Sequence, residues 1–161
     1  MKIAIYPGSF DPITNGHLDI LERSLRIFDK VIVVLAVNPH KVTTFSVAER
    51  LDMIKGAVAK LGSRVEVDIT DGLSVTYAKK SGACALVRGL RAVPDFEYEF
   101  QIAAGNEFID STIEMVFFMS RQRATFISSS TIKQLAEQGI DIHSLVPANV
   151  NEYLVSHYRK R

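Results

Sequence analysis

The sequence predicts an α/β protein, a single domain doubly wound around a five-stranded parallel sheet. Three observations carry this reading. Residues Lys30 to Val37 form a continuous valine- and isoleucine-rich run, the pattern of a parallel strand covered on both faces. Short apolar runs alternate with amphipathic stretches along the whole chain, as βαβ units require. The first run, Lys2 to Tyr6, passes through a glycine- and proline-punctuated loop into an amphipathic stretch opening at Gly16-His17.

Taken in order, Lys2 to Tyr6 is the first strand. Gly16 to Phe28 is a helix with Leu18, Leu21, Leu25 and Phe28 on the face that packs on the sheet. Lys30 to Val37 is expected at the centre. A polar loop, Asn38 to Thr44, follows, and Ser46-Val47-Ala48-Glu49 is a capping box opening a second helix to about Leu61. Arg64 to Ile69 alternates as a third strand, Asp71-Gly72 turns the chain, Ser74 to Lys80 is a short helix, and Ala83 to Val87 is the fourth strand. Arg88 to Arg91 reads as a glycine-kinked loop, and Pro94 suits the first turn of a helix reaching about Ile109, where a missing N–H does no harm. Ile113 to Met119 is the fifth strand and Ser120 to Thr125 a polar loop. Ser128-Ser129-Ser130 begins a helix ended by Gly139, and a last helix runs from Pro147 toward Tyr158. The segment from about residue 128 is expected to pack on the rest of one domain spanning 1–161.

Composition narrows the function classes. The 161 residues are 47% hydrophobic, with 19 basic and 18 acidic residues and a formal charge of +1. No global field draws such a chain to nucleic acid or anionic lipid, so any phosphate site must be local. A single cysteine, Cys84, excludes an internal disulfide and reads as a buried strand residue. With no basic-then-apolar leader, and no apolar run near the ~20 residues of a membrane helix, a soluble cytoplasmic protein is expected.

In a parallel sheet, ligands bind beyond the carboxyl ends of the strands. Ser9 to His17 follow strand one, Lys41 strand two, Ser74 strand three, Arg88 to Arg91 strand four and Ala124 to Ser130 strand five. Five loops thus converge on one edge. The first reads as a phosphate-binding turn: Gly8 supplies unusual backbone angles, and Gly16 allows close approach at a helix start whose free N–H groups favour an anion. His17 lacks a cysteine nucleophile and metal-ligand companions, which leaves phosphate chemistry, where protein groups position reactants and stabilise developing charge. Read singly, several of these residues have plainer explanations: Lys41 as a solvated lysine, Ser74 and Ser128 to Ser130 as caps, Glu99 as a helix-surface carboxylate. Phe96, Tyr98, Phe100 and Phe108 suit core or subunit contact better than base stacking, and His40, His143 and His157 read as surface histidines.

Gly8-Ser9-Phe10-Asp11-Pro12 with Thr14-Asn15-Gly16-His17 resembles the signature of the nucleotidylyltransferase superfamily. Arg88-Gly89-Leu90-Arg91-Ala92-Val93 with Asp95 to Glu99, and Phe126-Ile127-Ser128-Ser129-Ser130-Thr131-Ile132-Lys133, narrow the resemblance to the family of bacterial phosphopantetheine adenylyltransferases. It runs from Lys2 to about Val150. It implies a Rossmann-like fold and in-line attack of the phosphate of 4'-phosphopantetheine on the α-phosphorus of ATP, giving dephospho-coenzyme A and pyrophosphate without a covalent enzyme intermediate. It also implies magnesium (Mg2+) carried on the nucleotide, and a homohexamer. By matching position, His17 would bind the α-phosphate and stabilise the transition state. Ser9 would contact both substrates, and Lys41, Ser74 and Arg88 would hold the acceptor. Phe10, Gly89, Leu90, Arg91, Glu99, Ala124, Thr125, Phe126, Ile127, Ser128, Ser129 and Ser130 would form the ATP pocket. Ser9 stands where threonine is frequent, Ala124 where many members carry a bulky aromatic, and Pro94 where a small residue is usual.

The alternatives are a sister nucleotidylyltransferase acting on nicotinamide mononucleotide or, with CTP, on a small phosphoalcohol, and a non-catalytic nucleotide-sensing module. The wording of the second and third motifs argues against the first, and the presence of His17 and Lys41 against the second. An aminoacyl-tRNA synthetase fragment shares the turn histidine, but this neutral chain offers no basic tract.

Overall fold

A computed structural model describes residues 1–121, 125 and 127–159. Five parallel strands, β1 (Ile3–Gly8), β2 (Lys30–Ala36), β3 (Val65–Thr70), β4 (Ala85–Leu90) and β5 (Glu114–Met119), form one sheet in the order β3-β2-β1-β4-β5. The helices are α1 (Asn15–Ser24), α2 (Val47–Val58), α3 (Ser74–Lys80), α4 (Val93–Ile109), α5 (Ser129–Glu137) and α6 (Ala148–Arg159).

The β2 run is buried on both faces because alternate residues enter two different cores. Val31, Val33 and Leu35 join Ala4, Tyr6, Val87 and residues of α1, α2, α5 and α6. Ile32 and Val34 join Ile5, Leu86 and the α3 residues Val75 and Ala78. Strand β2 is interior, but β1 is the central strand, with β2 on one side and β4 on the other. The expected capping box closes α2: Ser46 accepts from the Glu49 N–H at 3.1 Å, and Glu49 accepts from the Ser46 N–H at 2.7 Å. Ser128 caps α5 by accepting from the Thr131 N–H, and Gly139 ends that helical segment with φ of 76°. Ile132 of α5 and Val150 and Leu154 of α6 are buried in the larger core, so the C-terminal segment is part of the same packed body.

Four expectations change. Arg88, Gly89 and Leu90 are not a loop: they continue β4, paired with Phe117, Phe118 and Met119 of β5. Gly89 fits there because a side chain would meet Ile20 of α1 at 3.3 Å. Helix α1 ends at Ser24 and reaches Phe28 through turns. Cys84 lies exposed just before β4, with its Sγ 3.4 Å from the Ile3 carbonyl. The aromatic residues of α4 are not core, since Phe96, Tyr98, Phe100 and Phe108 are exposed at 54%, 61%, 64% and 93%. Glu99 is the one buried residue of that helix. Among the described residues no helix is long and apolar enough to cross a membrane.

Candidate active site

Because all five strands are parallel, their carboxyl ends share one edge, and the loop after β1 lies at its middle. Thr14 and His17 form a capping box at the start of α1. The Thr14 N–H donates to His17 Nδ1 at 3.0 Å, and Thr14 Oγ1 lies 3.4 Å from the His17 N–H that it accepts. An Nδ1 that accepts a backbone N–H carries no proton, so the neutral ring is protonated on Nε2. Burial, with Arg91 and Arg88 nearby, lowers the imidazole from an ordinary 6.5 to about 4. His17 is therefore a neutral Nε2–H donor at pH 7, oriented by its own helix cap.

The loop holding it takes its shape from residues other than those the glycines suggest. Phe10, not Gly8, has positive φ, at 43°, and its ring is buried edge-on to Tyr6 and His17 at centroid distances of 5.5 and 5.0 Å. Gly8 is needed because a side chain there would meet the Phe10 ring at 3.1 Å. Gly16 admits protein rather than ligand: a side chain would meet the Ile127 carbonyl oxygen at 3.3 Å. The loop before α5 thus lies directly against the start of α1, and Ser129 Oγ donates to the Pro12 carbonyl at 2.8 Å.

Cationic side chains reach this loop from both neighbouring strands. Lys41, beyond β2, donates from Nζ to Ser9 Oγ at 3.0 Å. Arg88, in β4, donates to the Pro7 carbonyl at 3.3 Å and grips Glu99 through Nε at 2.9 Å and Nη2 at 2.5 Å. Burial opposes the charge of Arg88, but the Glu99 carboxylate outweighs it and holds the guanidinium above its ordinary pKa. Glu99 is thereby a buried partner of Arg88, not a surface carboxylate. Leu90 is buried and Arg91 exposed, with the Arg91 N–H and Nε turned to Asp95 at 3.1 and 3.4 Å. Ser74 opens α3 at the same edge but does not cap it: Leu73 holds the cap position. Among the described residues no hydrogen bond joins the Ser74 side chain to the rest of the site. Thr125 and Ser130 are exposed, and Ala124 and Phe126 lie outside the described residues.

Sequence reasoning missed three supports of this edge. Buried Arg50 donates from Nη1 to the Ser9 carbonyl at 2.9 Å. Asp11 and Lys133 join the first loop to two other segments. The Asn15 N–H donates to the Leu145 carbonyl at 3.0 Å. Asp11 and Lys133 stand within the motifs above, where an acid set between phenylalanine and proline and a lysine one turn past a serine cap are the available signals. His157 is also half-buried rather than on the surface, with its ring 5.2 Å from that of Phe45.

A central strand that leads to a helix-capped donor and is met by a cationic side chain from each neighbouring strand makes an α/β site suited to phosphate groups. The cytidylyltransferase-like family model matches residues 5–135. Relatives from Desulforudis audaxviator and Desulfosudis oleivorans are 49% and 50% identical over 96% of this chain and 94% and 91% of their own lengths. One from Caldanaerobacter subterraneus subsp. tengcongensis is 46% identical over 99% of both chains. Each of the three is named phosphopantetheine adenylyltransferase. A solved structure from Vibrio parahaemolyticus, described as a candidate nicotinate-nucleotide adenylyltransferase, matches with TM-score 0.73 at 22% identity over 96% of this chain and 99% of its own. That likeness is one of fold. The chain belongs to the cytidylyltransferase-like family and, within it, to the phosphopantetheine adenylyltransferases.

Proposed function

We propose that the protein transfers the adenylyl group of ATP to 4'-phosphopantetheine, releasing pyrophosphate and forming dephospho-coenzyme A, a reversible step of coenzyme A biosynthesis in the cytoplasm. The observation that carries this reading is that β1 and its loop, which leads to the His17 Nε2–H donor, are met by Lys41 at Ser9 from the β2 side and by Arg88 at Pro7 from the β4 side. Such a set serves two phosphates at once: one being attacked and one attacking. The acceptor phosphate, held by Lys41 and Arg88 with Ser9 and Ser74 beside them, attacks the α-phosphorus in line, and pyrophosphate departs from the opposite side. His17 donates from Nε2 to the α-phosphate oxygen on which charge grows, a preorganised contact that strengthens in the transition state. Ser9, Phe10, His17, Gly89, Leu90, Arg91 and residues 124–130 hold the nucleotide in this reading, whereas Glu99, expected among them, serves the acceptor side by orienting Arg88. No residue forms a covalent bond to the substrate.

Magnesium belongs to the proposal as the ion of the nucleotide, where it supplies charge neutralisation at the leaving pyrophosphate. Two cationic side chains and a neutral imidazole suit phosphate oxygens, not a directly ligated cation. We further infer assembly into a homohexamer through α4, whose exposed Phe96, Phe100 and Phe108 form an apolar surface that its own chain leaves uncovered.

Pyrophosphate release from ATP, measured with 4'-phosphopantetheine, nicotinamide mononucleotide and glycerol 3-phosphate as acceptors, tests the reaction. Turnover dominated by 4'-phosphopantetheine is expected. Preference for nicotinamide mononucleotide, or for CTP over ATP, would overturn it.

A further inference from the structure

The buried Asp11 carboxylate joins three segments far apart in sequence. Its Oδ1 accepts the Phe45 N–H at 2.9 Å, and its Oδ2 accepts the Thr44 N–H at 2.9 Å and Lys133 Nζ at 3.0 Å. Lys133 donates a second time, to Thr44 Oγ1 at 3.1 Å. Asp11 lies in the loop after β1, Thr44 and Phe45 close the irregular segment after β2, and Lys133 stands in the second turn of α5.

We propose that Asp11 and Lys133 are a positioning pair for the reaction, locking the Lys41 segment and the start of α5 to the His17 loop so that acceptor and nucleotide meet in one geometry. This rests on the adenylyl-transfer reading above. The joined segments carry groups assigned there to both substrates: His17, for the nucleotide, and Ser9, for both, on the first; Lys41, for the acceptor, three residues before Thr44 on the second; Ser128 to Ser130, for the nucleotide, one turn before Lys133 on the third. Lys41 is exposed, and residues 37–46 form no helix or strand. What holds this segment on the first loop is the pair of amides on Asp11, the buried Phe45 ring and the Lys41–Ser9 bond. With Lys133 gone, Asp11 keeps two amide donors but loses its only cationic partner among the described residues, and α5 loses its bond to the Thr44 segment while the Ser129–Pro12 bond still ties it to the first loop. A buried charge left without its partner shifts toward other partners or water, and a shift of about an ångström between reacting groups costs on the order of a hundredfold in rate.

The test compares full-length wild type with Lys133→Met, Lys133→Arg, Asp11→Asn and the Asp11→Asn/Lys133→Met double variant. Lys133→Met is expected to lower kcat/KM for 4'-phosphopantetheine about ten- to a hundredfold, largely through kcat, while ATP binding by calorimetry stays within about threefold. Lys133→Arg should restore most of the rate, and the double variant should fall no further than the worse single variant. Lys133→Met needs no folded Asp11→Asn protein to be informative. Near-normal kcat/KM with only a lowered melting temperature would overturn the proposal, as would ATP binding weakened as strongly as acceptor use. Wild type active only with another acceptor would overturn the adenylyl-acceptor reading alone, and the same split measured with that acceptor then decides the pair's role. Wild type that turns over no acceptor would overturn both.

Discussion

Glu99 holds Arg88 through two parallel hydrogen bonds of 2.9 and 2.5 Å, and it is the only side chain that α4 buries. A long helix is thereby attached to the end of β4 through a charged fork, the geometry in which arginine orientation is most tightly specified. Glu99→Gln keeps the size but loses the charge, so Arg88 turns more freely. We expect kcat/KM for the acceptor to fall about tenfold, with ATP affinity nearly unchanged. Weakened ATP binding with acceptor use intact would place Arg88 on the nucleotide instead.

Lys41 and Arg88 reach β1 from opposite neighbours, β2 and β4. Replacing either with alanine should weaken acceptor use on the order of ten- to a hundredfold, the worth of one charge-assisted bond. Calorimetric titration with each substrate separately checks the assignment. Intact acceptor binding with lost ATP binding would reverse it.

His17→Ala should reduce kcat by at least ~100- to 1,000-fold, roughly 3–4 kcal/mol of transition-state stabilisation, with a much smaller change in ATP affinity. Single-turnover kinetics on the folded variant separates the two. Near-normal kcat would reduce the loop to a binding element.

The same residue sets a pH dependence. Free histidine ionises near 6.5 and folded His17 at about 4, so between these values the unfolded chain binds a proton that the folded chain does not. Its contribution to stability is complete above the unfolded value and is lost progressively as pH falls from 6.5 toward 4. Nitrogen-detected NMR of the imidazole should show one neutral tautomer, protonated on Nε2, throughout about pH 5.5–8. Titration of His17 near 6.5 would contradict this.

Exposed Phe96, Phe100 and Phe108 on α4 predict assembly at micromolar concentration. Sedimentation should find a hexamer, and Phe96→Glu with Phe100→Glu should dissociate it. Wild type that sediments only as monomer would exclude it.

How legible the molecule was depends on the range of the interaction concerned. Sheet class, the capping box at Ser46 and Glu49, the end at Gly139 and the order of helices follow from local periodicity and caps, and all appear. Arg88 to Leu90 misled because glycine within Arg-Gly-Leu-Arg looks like a turn. Strand pairing with β5 and the close approach of Ile20 are long-range facts that local composition does not carry. The site residues were legible as types and as strand ends, which gave Lys41, Arg88 and His17 one common edge. Their partners were not: Glu99 on Arg88 and Lys133 on Asp11 are contacts across 11 and 122 residues. Nothing in either stretch alone announces them.

The place of β1 at the centre of the sheet has a consequence for how active molecules arise. The two cations that meet β1 and its loop come from strands added on opposite sides, so the chain must complete the crossover to β2 for the Lys41 contact and the later return to β4 for the Arg88 contact before both exist. Such distant closures come late, because their entropy is lost before their contacts form. A chain that has folded only its first crossover therefore lacks the Arg88 half of the site, and activity in a refolding mixture should rise with the native population, without an earlier, weaker phase.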